Sequence, residues 1–150
     1  MKLIAIAALC LSPTICSAFD APDRVSFLMG SHHVDTKLDF NQKNPGVFLT
    51  WENPKISYSI GVYDNSFNKT SVAVTVSVPV IRKNDFEASL FAGLALYPED
   101  GRMFAFHVGD VVPIGGLQVR YKNAFVQVIP SDGVMVDAII AAGVTFKIGN

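Results

Sequence analysis

Val72, Val74, Val76, Val78 and Val80 occupy every second position of one segment, with Ala73, Thr75, Ser77 and Pro79 between them. Only an extended strand turns alternate side chains to opposite sides, so this segment has to be a β-strand with one apolar face and one small or polar face. The segment before it behaves alike: Ile56, Tyr58, Ile60 and Val62 interleave with Ser57, Ser59, Gly61 and Tyr63. Between the two runs lies Asp64-Asn65-Ser66-Phe67-Asn68-Lys69, whose polar composition makes it the turn of a hairpin. Five valines on one face require an apolar partner, either a second sheet or lipid.

Eight alternating segments can be marked, roughly 24–34, 45–52, 55–64, 70–81, 85–97, 107–121, 123–130 and 134–148. Short turn signals separate them, among them Glu52-Asn53-Pro54-Lys55, Arg82-Lys83-Asn84-Asp85 and Ser131-Asp132-Gly133. An even number of evenly spaced strands predicts an all-β fold, an eight-stranded antiparallel up-and-down β-barrel. In the last strand Val136, Ala138, Ile140, Ala142, Val144, Phe146 and Ile148 oppose Asp137, Ile139, Ala141, Gly143, Thr145 and Lys147. Strands of about ten residues are long enough to cross a bilayer when tilted, whereas soluble sandwiches commonly use about five or six. The polar-side residues are often small, as a narrow lumen needs, and charged residues are only 17% of the chain, lean for a wetted outer face. These features predict a transmembrane barrel. A soluble lipocalin-like, lipid-binding barrel would use the same alternation inside out. One feature is discordant: outer-membrane barrels usually finish on an aromatic residue, and this chain runs past Phe146 to Asn150.

The compartment follows from the beginning of the chain. Lys2, the apolar run Leu3 to Leu11 and the small residues Cys16-Ser17-Ala18 read as a secretory leader, residues 1–18, cleaved after Ala18. Cys10 and Cys16 leave with it, so the single barrel domain expected over 19–150 has no disulfide. Eleven basic against thirteen acidic residues then remain, which excludes the strongly basic surface of a nucleic-acid binder. The expected location is the bacterial outer membrane, as a monomer among membrane lipids.

Three blocks, Phe40 to Gly46, Asp64 to Lys69 and Val112 to Pro130, resemble in order the outer-membrane lipid A palmitoyltransferase (PagP) family. Phe40-Asn41-Gln42-Lys43-Asn44-Pro45-Gly46 is similar to that family's aromatic-Asn-Glu segment leading into proline and glycines. Asp64-Asn65-Ser66-Phe67-Asn68-Lys69 resembles its Lys-Asp-Ser-Trp-Asn-Lys, and Val112-Pro113-Ile114 through Tyr121 to Val128-Ile129-Pro130 resembles its two late strands with paired prolines. The resemblance implies a catalytic set of Ser66, Asn65, where the family has an aspartate, and a histidine from the first loop region, His33 or His32. His33 is favoured because Ser31, His33 and Asp35 alternate onto one side, where a carboxylate would orient the imidazole. Asparagine cannot serve as a base, so a mechanism needing a carboxylate would recruit Asp64. The implied reaction is acyl transfer from phospholipid to lipid A, without cofactor. Adjacent histidines on a strand point to opposite faces, and no third nearby ligand completes a metal site.

Proline gives a separate argument, since it cannot donate to a β-ladder. Pro45, Pro113 and Pro130 either start and stop strands or, as in the family, interrupt pairing and open lateral gates for lipid tails. His107 is expected to be an interface residue. Trp51, Tyr58, Tyr63, Tyr97 and Tyr121 suit either an interfacial aromatic girdle or ordinary packing. Two function classes remain besides the soluble barrel: a membrane acyltransferase, and a non-catalytic barrel that has kept the architecture and lost the carboxylate.

Overall fold

A computed structural model describes residues 20–131 and 135–149; the expected leader, 1–18, lies outside them. The chain closes into an antiparallel barrel of eight strands in sequence order: β1 (Arg24–Val34), β2 (Gly46–Trp51), β3 (Ser57–Asp64), β4 (Thr70–Lys83), β5 (Phe86–Leu96), β6 (Val111–Tyr121), β7 (Ala124–Pro130) and β8 (Ala138–Lys147). Closure is made by β8 against β1, with Arg24 opposite Lys147 and Val34 opposite Ala138. The first, third, fifth and seventh connections therefore share one rim, and the even connections share the other with both ends of the described chain.

Two expected strands are shorter than their alternation suggested. Residues 107–110 are not the start of β6, because Gly109 at φ 59° turns the chain so that Val108 and Val111 exchange hydrogen bonds across a tight turn. Before β8, Val136 is buried in the preceding connection and does not take the outward place its alternation predicts.

The alternation decides inside from outside. Val74 is 53% exposed and its neighbour Ala73 2%, and the same contrast runs along β2, β3 and β5. The apolar faces look outward, so a lipocalin-like arrangement with the greasy face inside does not describe this barrel. Inward positions alternate bulk with its absence: Phe48 lies over Gly61 and Phe125 over Gly143, at the places a β-carbon would occupy. Eight strands enclose a lumen this narrow only if large rings face glycines. Of the girdle candidates, Tyr58 and Tyr121 lie outward near the even rim, and Trp51 there donates from Nε1 to the Asp20 carbonyl. Tyr63 and Tyr97 instead turn inward, Tyr63 stacking on Phe48.

Near the even rim the lumen is closed by charge. Glu52 accepts from Arg24 Nε at 3.0 Å and from Arg120 at 2.8 Å, while Glu87 forms an ion pair with Arg120 at 3.1 Å and accepts from Arg82 at 2.7 Å. Burial pushes the Glu52 carboxyl up, but the Arg120 and Arg24 guanidiniums outweigh it and hold the group below the ordinary glutamate range. A carboxyl depressed in the folded state stabilises above its unfolded pKa, and that contribution is lost as pH falls through the folded value. The barrel should therefore weaken progressively as acid passes below the ordinary glutamate range. Urea midpoints measured against pH should show this fall, flattened in Glu52→Gln.

Candidate functional site

On the odd rim the first and third connections converge. His33, near the end of β1, meets Ser66, in the turn between β3 and β4, with Nε2 and Oγ 2.8 Å apart. The register of β1 places the histidine. Arg24, Ser26 and Leu28 face the lumen at even positions, but a β-bulge between Leu28 and Gly30 shifts the count, so that Ser31 and His33 turn inward and His32 lies exposed outside. Without that extra residue the inward histidine would have been His32.

The carboxylate expected to orient His33 is not there. Asp35 takes a positive φ of 48°, which breaks the alternation and leaves it exposed. Asp64 follows Val62 onto the outward face and is exposed too. His33 is 3% exposed, and among the described residues its Nδ1 has no hydrogen-bond partner. Its ring is held by a ring: Phe40 stacks on it with centroids 4.6 Å apart and planes at 26°. The residue after Phe40 completes the hold, since Asn41 donates its backbone N–H to the Ser66 carbonyl at 3.0 Å.

Asn65 is fully buried but shapes the turn and does not join the pair. Its Oδ1 accepts from the backbone N–H groups of Phe67 and Lys69, and its Nδ2 donates to Ser71 Oγ at 2.9 Å. Every polar atom of the side chain is spent on the hairpin, which presents Ser66 toward the lumen. Replacing it with alanine strands the two backbone donors of the turn. Asn65→Ala should therefore cost about 1–3 kcal/mol. Equilibrium unfolding of the refolded barrel measures this loss.

Two further groups tie the connections of this rim together. Asn44, 4% exposed, accepts from Ser31 Oγ and donates to the Asp64 carbonyl at 3.0 Å. Lys69 pairs with Glu99 and Asp100, each at 2.9 Å, and so ties the Ser66 turn to the connection between β5 and β6. That connection adds Phe104, which packs with Tyr97 and Phe67, and Phe67 meets Phe40 edge-on at 5.5 Å. An aromatic roof thus spans three connections above the pair. His107, in the same connection, is exposed and contacts the Gly109 carbonyl.

Below Ser66 a cavity of about 350 Å³ runs past Phe48, Phe91 and Phe125 to the Arg24–Glu52 floor. That volume suits one small ligand. Two places in the wall lack pairing. The β1–β2 ladder ends at Leu28 opposite Gly46, immediately after Pro45, so the upper part of β1 has no β2 partner beyond a Ser31 N–H to Gln42 carbonyl bond of 2.9 Å. The β6–β7 ladder ends at Leu117 opposite Val128, although β6 continues to Val111 and carries Pro113. Pro130 still pairs with Ala138 of β8, so it closes one side and leaves the other open. Among the described residues no cluster of three or more His, Cys, Asp or Glu side chains is placed to hold a metal ion.

The fold brings His33 and Ser66 together, engages the Asn65 side chain in the turn, and adds Phe40 and Asn44, which the sequence offers only inside a motif. Their shared signal was the Phe40–Pro45 block itself, dense in polar residues that a long connection does not otherwise need. Compared with known proteins, the chain matches no family model and no curated protein significantly.

Proposed function

We propose that this protein is an outer-membrane barrel that moves an acyl chain from a phospholipid to a lipid hydroxyl such as that of lipid A, as its resemblance to the lipid A palmitoyltransferases implies. The observation that carries the reading is the His33–Ser66 pair, a base in hydrogen-bond reach of a hydroxyl at the mouth of a lumen whose upper half is aromatic. In that chemistry Ser66 Oγ attacks the ester carbonyl as its proton passes to His33 Nε2. The lysophospholipid leaves as an alcohol on taking that proton, and the acceptor hydroxyl then repeats both transfers and frees the serine. Breaks in the wall beside Pro45 and Pro113 offer lipid tails a lateral way in, and the outward valines suit hydrocarbon.

The carboxylates lying away from the pair favour a second reading, a barrel that binds lipid and does not turn it over. Mass spectrometry of lipid A and phospholipids from cells with and without the gene separates the two. An added acyl mass that depends on the gene supports transfer, and identical profiles support the second reading.

A further inference from the structure

The pair lacks what usually fixes a histidine that activates a hydroxyl. In Ser-His-acid arrangements a carboxylate on the far nitrogen holds the imidazole in one tautomer and one orientation. Here Nδ1 has no hydrogen-bond partner among the described residues, and Asp35 and Asp64 both lie exposed. With one nitrogen bonded to Ser66 and the other free of polar contact, the ring can still turn about its side-chain torsions unless packing stops it. Among the described residues, the ring contact of His33 is with Phe40. Phe40 covers it at 4.6 Å and 26°, nearly parallel, and is itself braced edge-on by Phe67, the residue after Ser66.

We infer that Phe40 is the positioning residue of the His33–Ser66 pair, its ring fixing by stacking the orientation that a carboxylate fixes by hydrogen bonding. The covalent neighbourhood makes this more than contact. Asn41 grips the Ser66 carbonyl and Phe67 leans on Phe40, so one stretch of the first connection and one hairpin turn fix both partners of a single 2.8 Å hydrogen bond. Stacking sets the plane of the ring and so keeps Nε2 aimed at Ser66, and the Ser66 hydrogen bond in turn fixes the tautomer. It also explains how Asn65 can stand where an acid is expected without loss of geometry, because the orienting role has moved to another connection.

This inference rests on the acyl-transfer reading of the pair, but its test need not. Barrels with ¹⁵N-labelled histidine, refolded in lipid, report the His33 tautomer by nitrogen shifts, and lipid mass spectrometry of the same samples reports transfer. Wild type should show one tautomer. Phe40→Leu should show a mixture and lose roughly ten- to hundredfold in transfer rate, the scale expected for a misplaced base. Phe40→Tyr and Phe40→Trp, which keep an aromatic face, should restore the single tautomer and most of the rate. Phe104→Leu, in the same roof but packed on Phe67 and Tyr97, should leave the tautomer unchanged. If Phe40→Leu fails to refold, Phe40→Met carries the same comparison. A single tautomer in the leucine or methionine variant, or an equal disturbance in Phe104→Leu, overturns the inference. If wild type transfers nothing, the acyl-transfer reading falls alone and the tautomer spectra still decide the role of Phe40.

Discussion

Val76→Arg should lose about 2–4 kcal/mol of stability in a bilayer, the cost of a guanidinium near the membrane midplane on the lipid side of a barrel. Val76 sits in the middle of β4, opposite Tyr58 of β3 and Ala92 of β5, with its side chain outward. The adjacent residue supplies the control. Ser77 lines the lumen, so Ser77→Thr adds one methyl group to an inward site and should change stability by less than about 1 kcal/mol. Urea unfolding of both variants refolded into vesicles gives the comparison. A Val76→Arg barrel as stable as wild type, or one that stays folded without lipid or detergent, would count against the membrane reading.

The second large effect is on chemistry. His33→Ala and Ser66→Ala should each abolish lipid modification, since removing a positioned base or nucleophile costs about 10²–10⁴-fold. Neither change should unfold the barrel. The closing ladders involve only the backbone of His33, opposite Ile139, and Ser66 lies in a turn whose hydrogen bonds are supplied by Asn65. Heat-modifiable migration equal to wild type, with loss of the acylated product, is the expected pair of results. Loss of folding in both would instead make the His33–Ser66 bond a structural tie between two connections.

The strands were legible because period two is a property of neighbouring residues and needs no long-range information. The valine row of β4 alone settles that one face is apolar, and the sparse charge told which way it would look. What the sequence does not carry is register. The bulge after Leu28 changes which histidine faces inward, and nothing in Leu28-Met29-Gly30 announces it beyond the glycine, whose missing side chain lets the Gln42 carbonyl approach. His33 faces Ser66 for a reason different from the one the alternation offered, since Asp35 turns away at positive φ. An amide in a motif and an amide holding a turn look alike until the hydrogen bonds are seen, and those of Asn65 go to the turn. The charged floor was least visible of all. Arg24, Glu52, Glu87 and Arg120 are spread over nearly a hundred residues and meet only when the barrel closes.

Transfer by the purified protein is the most direct measurement. The barrel, refolded into vesicles containing a phospholipid donor and lipid A, should yield acylated lipid A and lysophospholipid in equal amounts by mass spectrometry, and the Ser66→Ala barrel should yield neither. Unchanged masses from a folded wild-type barrel, or equal yields from wild type and Ser66→Ala, would contradict the account.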